Sequence, residues 1–84
     1  MEQIIIPLPQ QMLRESAAVS YSALTRRERE VLTLIAAGHT NREMAESLVV
    51  SPETVKTHVR HVLNKFGVAR KAEILALIHS ARYQ

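Results

Sequence analysis

The chain has 84 residues, 46% of them hydrophobic and only 4% aromatic, with a formal net charge of +3. That length supports one small domain around one compact core, and so few aromatic and turn residues favour helices over a β-sandwich. The absence of cysteine excludes disulfides and cysteine-ligated zinc, no apolar run approaches bilayer length, and "MEQIIIPLPQ" lacks the basic and long apolar regions of a secretory signal. A cytoplasmic location is therefore expected.

Residues 1–22 read as an N-terminal arm or linker. Pro7 and Pro9 break any helix and favour an extended path, and "QQMLRESAAVSY" has apolar residues enough for only a helical turn or two. The folded domain is expected over residues 23–84. Thr25 followed by Glu28 is a capping-box pattern. Leu24, Val31, Leu32 and Ile35 then form an apolar stripe at helical spacing, and Gly38 provides a left-handed end, which together predict a first helix over 26–37. Thr40 and Glu43 repeat the box and start a short helix over 41–48 that buries Met44, Ala45 and Leu48. After the brief "VVS", Ser51 caps a third helix with Pro52 at its first position, where the missing amide costs nothing. Val50 and Val55 have the spacing of a hydrophobic staple. This helix is predicted to run over 52–66, about 22 Å, and to close at Gly67. A fourth helix over 70–81 carries Ile74, Leu77, Ile78 and Ala81 inward. It follows Ala69 and Arg70, neither a good cap, which predicts a frayed start.

A short helix, a tight turn and a longer capped helix make a helix-turn-helix, whose second member enters the DNA major groove. Glu53, Lys56, Thr57 and Arg60 share one side of the third helix, opposite Val55, Val59, Val62, Leu63 and Phe66. Lys56 and Arg60, about one helical turn apart beside small Thr57, have the reach to contact guanine edges. A solvated helix face is the ordinary explanation of such a pattern. Here the tight turn, the Ser51-Pro52 start and a run without acids from Thr54 to Lys71 favour contact with a polyanion.

The stretch "LTRREREVLTLIAAGHTNREMAESLVVSPETVKTHVRHVLNKFGV" resembles the DNA-binding domain of the LuxR family, also called the NarL/FixJ type. The likeness covers residues 24–81 and rests on Leu24-Thr25, Arg27-Glu28, Gly38, Thr40 to Glu43 with Ala45, Ser51, Thr54 to Lys56, and His58-Val59. It implies an all-α, four-helix domain whose third helix reads bases through Lys56, Thr57 and Arg60. Thr54, His58 and Lys65 would lie nearer phosphates, and Ser51 belongs to the same DNA-binding set. The resemblance also implies a homodimer through the fourth helix, where Ala72, Leu75 and His79 remain after core packing. The expected partner is double-stranded DNA, with RNA polymerase a further candidate and no membrane. Family members often carry a receiver or ligand-binding domain ahead of this module. All eight acids here are glutamate, so the chain offers no aspartyl phosphoacceptor. Either a stand-alone small regulator or a fragment of a longer one is expected; Met1 and the lead-in fit both, and the expectation leans slightly to the first.

Other chemistry finds little footing. His58 and His61 lie three apart, but no third ligand has matching spacing, so no metal or other cofactor is expected. There is no nucleophile elbow and no glycine-rich phosphate loop, which points away from catalysis. Two alternatives to a LuxR-type regulator stand beside it. One is promoter recognition by a sigma-factor region, disfavoured by a helix after Gly67; the other is a protein-interaction module without DNA contacts, disfavoured by Lys56 and Arg60.

Overall fold

The computed structural model describes residues 18–82, with side chains as far as His79. The expected arm lies outside the described residues up to residue 17, as do the side chain of Ala81 and the last two residues of the expected domain. Residues 18–22 are helical. After them come α1 (Arg26–Ala36), α2 (Asn41–Leu48), α3 (Pro52–Phe66) and α4 (Lys71–Arg82). Among the described residues there is no strand, and no helix is long and apolar enough to cross a membrane. The fold is all-α, as the composition implies.

Local chemistry sets the starts of the helices. Thr25 Oγ1 accepts from the Glu28 amide at 3.1 Å while Glu28 Oε1 accepts from the Thr25 amide at 2.9 Å, a complete capping box. Thr40 and Glu43 form the same pair of bonds at α2. Ser51 Oγ accepts from the Thr54 amide at 3.1 Å, with Pro52 in the first helical position of α3. The start of α4 departs from expectation. Arg70 supplies no side-chain cap, but Glu73 Oε1 accepts from the amides of Ala69 at 2.6 Å and Arg70 at 3.0 Å. Those two bonds hold the Glu73 carboxyl below the ordinary glutamate range. Half a capping box thus replaces the missing cap, so the predicted fraying lacks its cause, and the helix begins at Lys71, one residue late.

The ends of α1, α2 and α3 share one design. A residue in the left-handed region follows each helix: Gly38 at φ 88°, Val49 at φ 57° and Gly67 at φ 70°. The next amide reaches back to close the last turn, from His39 to Leu34 O at 3.1 Å, Val50 to Ala45 O at 3.0 Å and Val68 to Leu63 O at 3.0 Å. Both glycines of the chain serve here, and the third place is taken by a β-branched residue. A left-handed conformation costs such a residue about 1–2 kcal/mol.

The core is built from Leu24, Val31, Leu32, Ile35, Met44, Ala45, Val55, Val59, Val62 and Ile74, with Leu48, Leu63, Phe66 and Ile78 packed against it. Helix α3 packs on both α1 and α2, and α4 closes against α1 and α3. Each large aliphatic side chain buried in this way contributes about 1.5–3 kcal/mol of transfer free energy. Ala45 is 5% exposed, a small residue where α2 meets α3.

Among the described residues one charged side chain lies inside, Glu28, at 4% exposure. Its Oε1 accepts from Lys65 Nζ at 2.8 Å, its Oε2 lies 3.5 Å from His61 Nδ1, and Lys65 Nζ also donates to Ala23 O at 3.1 Å. Burial alone would raise the pKa of this carboxyl. The Lys65 hydrogen bond, the Thr25 amide and the charges of Lys65 and His61 outweigh it and hold the pKa below the ordinary 4.5. A carboxyl with a lowered folded pKa stabilises fully above the unfolded value, about pH 4.5, and loses that contribution as pH falls through the folded value.

Two outcomes follow from these features. Val49 is 86% exposed, so Val49→Gly removes strain with almost no loss of burial. A gain of about 1 kcal/mol is expected after the extra freedom of glycine in the unfolded chain is subtracted, which is about 4–8 °C in Tm for a domain of this size. An unchanged or lower midpoint in thermal denaturation would show that Val49 carries no strain. Lys65→Met should cost about 2 kcal/mol in urea unfolding at neutral pH, between the values for exposed and buried pairs, because the Lys65 side chain is 35% exposed. That penalty should shrink as pH drops below about 4.5 and Glu28 gains a proton. A penalty that stays constant into acid would break the assignment to this pair.

Candidate nucleic-acid interface

Helix α2, the turn at Val49 and Val50, and α3 form the helix-turn-helix. Val55, Val59 and Val62 bury one side of α3, with Leu63 and Phe66 half-buried beside them. The opposite side carries Glu53, Lys56 and Arg60, all exposed, with Thr57 half-buried between them. Thr57 Oγ1 donates to Glu53 O at 3.2 Å, so its hydroxyl hydrogen is engaged within the helix.

Several of the surrounding charges are paired. Arg26 and Arg27 lie 3.8 and 3.0 Å from Glu30, and Arg42 lies 3.7 Å from Glu46. Lys71 Nζ donates to Asn41 Oδ1 at 3.0 Å, tying the first turn of α4 to the first turn of α2. Among the described residues, Lys56 and Arg60 have no acid within ion-pair distance. They stand as unneutralised cations one turn apart on a helix anchored along its other face.

The remaining expected site residues fall into distinct places. Ser51 and Thr54 lie at the start of α3, and their hydroxyls share a hydrogen bond of 3.0 Å while Ser51 caps the helix. His58 is half-buried on α3. Lys65, expected on the phosphate side, has its ammonium drawn to Glu28 and Ala23 O, because a buried carboxylate needs a counter-charge more than the exposed lysine needs water. No local sequence signal marks that pair, whose members lie 37 positions apart. On α4, Ala72, Leu75 and His79 are exposed, Leu75 at 38%, while Ile74 is fully buried and Leu77 and Ile78 are half-buried. Among the described residues no group of three or more His, Asp or Glu is arranged to hold a metal ion.

Comparison with known proteins agrees with this geometry. The sequence pattern of "Bacterial regulatory proteins, luxR family" matches residues 22–78. The chain is similar to the transcriptional regulatory protein LiaR of Bacillus subtilis, with 40% identity over 62 residues, 74% of this chain and 29% of that one. It is also similar to the uncharacterized transcriptional regulatory protein YhcZ of the same organism, with 46% identity over 63 residues, 75% of this chain and 28% of that one. The oxygen regulatory protein NreC of Staphylococcus aureus is 44% identical over 55 residues, 66% of this chain and 25% of that one. The chain therefore spans between a quarter and three tenths of the length of these relatives. With a capped helix-turn-helix, an outward cationic edge and a family match over most of its length, this chain belongs to the luxR family of bacterial regulatory proteins and carries the DNA-binding helix-turn-helix of transcription regulators.

Proposed function

We propose that the protein is a sequence-specific regulator of transcription that acts in the cytoplasm by laying α3 in the DNA major groove. The observation that carries this reading is the unpaired Lys56 and Arg60 on the exposed edge of a helix whose other face is buried. In this reading both residues contact base edges and Thr57 lies between them. Ser51, Thr54 and His58 flank the nearest phosphates, helped by the free amides at the helix starts. Lys65 is a positioning residue that holds α3 against α1 through Glu28. The exposed Ala72, Leu75 and His79 of α4 form a two-fold contact between copies, and the bound dimer acts on transcription through RNA polymerase.

A rigid cationic edge should bind duplex DNA with an affinity that falls steeply as salt rises, because each neutralised phosphate releases counterions. Lys56→Ala and Arg60→Ala should each cost about 1–3 kcal/mol on the preferred site and much less on unrelated duplex. Titrations at several salt concentrations test both points. Equal losses on every sequence would make the two residues phosphate contacts, and no binding at low salt would refute the reading.

The dimer has its own measurement. Half-sites should lie about one helical turn of DNA, roughly 34 Å, apart, and Leu75→Glu should abolish cooperative protection of the pair in footprinting while leaving single half-site binding intact. Cooperative footprints that survive the substitution would remove α4 from the interface.

A further inference from the structure

The edge of α3 that carries Lys56 and Arg60 also carries a carboxylate. Glu53 stands three positions before Lys56, four before Thr57 and seven before Arg60, so all four share one side of the helix. It is the single acid of α3 and lies in its first turn, the end at which a recognition helix contacts bases.

Its state sets it apart. Glu28 is shared by Thr25, Lys65 and His61, Glu30 is paired with two arginines, and Glu46 with Arg42. Glu43 and Glu73 accept from backbone amides at helix starts. Among the described glutamates only the Glu53 carboxylate has no partner, although Lys56 stands at a spacing that permits an ion pair. A first-turn acid complements the helix dipole wherever it points; the dipole does not account for its place on the outward edge. There, beside phosphates, an unpaired carboxylate is repelled unless a donor meets it.

We propose that Glu53 determines specificity by accepting a hydrogen bond from an exocyclic base amine, that of cytosine by preference. In the major groove cytosine presents the N4 donor, whereas guanine and thymine present only hydrogen-bond acceptors there and adenine places the N7 acceptor beside its amine. A carboxylate therefore fits a C·G pair best, and the guanine of that pair or its neighbour offers O6 and N7 to Lys56. Repulsion from acceptor-bearing bases makes the same group a filter against wrong sites. This inference rests on α3 entering the major groove.

Selection of bound duplexes from a randomised pool, followed by competition titrations, tests it with wild type, Glu53→Ala and Glu53→Gln. Wild type should require cytosine at one position of the half-site, with a preference on the order of tenfold. Glu53→Ala should lose that preference and bind unrelated duplex more tightly, since one like charge is gone. Glu53→Gln should shift it towards adenine, whose N6 and N7 match an amide. Both variants lose the dipole interaction equally, so a matched change in thermal stability cannot produce different base preferences. Unaltered preferences in both variants, with only a uniform gain in affinity, would reduce Glu53 to phosphate repulsion and overturn the proposal. So would a wild-type site without any required C·G pair. A wild type that binds no duplex at all would overturn the DNA reading itself, and this assignment with it.

Discussion

The buried carboxylate of Glu28 is the constraint around which the domain is arranged. A charge at 4% exposure is tolerable only when it is paired and hydrogen-bonded, and Glu28 finds its partners on two elements at once. The Thr25 amide closes the start of α1, while Lys65 and His61 reach from the second half of α3. The same group that starts the first helix therefore fixes where α3 lies against it. Apolar contacts are non-directional and would allow α3 to rotate or slide by small amounts. A bond of 2.8 Å to a buried acceptor permits little such movement, which is what a helix needs if its opposite edge is to read bases in register.

That arrangement divides the charges of the domain into two classes. In the first class Arg26 and Arg27 pair with Glu30 and Arg42 with Glu46, pairs that contribute little individually when exposed, while Arg29 and Lys71 are held by uncharged groups, the Ser22 carbonyl and the Asn41 side chain. On the outward edge of α3, Glu53, Lys56 and Arg60 have no ion pairs among the described residues. A net charge of only +3 is thus a poor guide to the interface; its distribution is informative, because a field concentrated on one helix attracts a polyanion more strongly than the same charge spread evenly.

How much was legible in the sequence depends on how far apart the partners lie. The capping boxes at Thr25 and Thr40, the Ser51-Pro52 start and the glycine ends are all local, and their residues fall within one turn of each other. The second and third helices have the bounds the pattern predicts. Glu73 was equally local, three residues after Arg70, yet its backward reach was hidden because the pattern looks first for a polar residue in the cap position. The pair Glu28 and Lys65 was invisible for another reason: nothing in periodicity or composition links residues on different helices. Lys65 consequently read as one more cation of a basic helix, and its bond to Glu28 emerges only when α1 and α3 are packed together. Likewise the partnerless state of Glu53 is a negative fact, which requires knowing where every other charge has gone.

The turn between α2 and α3 shows the same dependence of local structure on packing. Nothing about Val49 favours a left-handed conformation, and a sequence pattern that looks for glycine finds none there. The conformation is imposed from both sides. Val50 donates to Ala45 O and packs against the core, and Ser51 must at once assume its capping geometry, so three residues have to reverse the chain between two docked helices. A strained residue persists only where its surroundings over-determine it. The angle between α2 and α3 is therefore set by the interlocked core of Met44, Ala45, Val55 and Val59 and not by the preference of the turn. Substitution at Val49 should accordingly change stability without re-aiming the edge of α3.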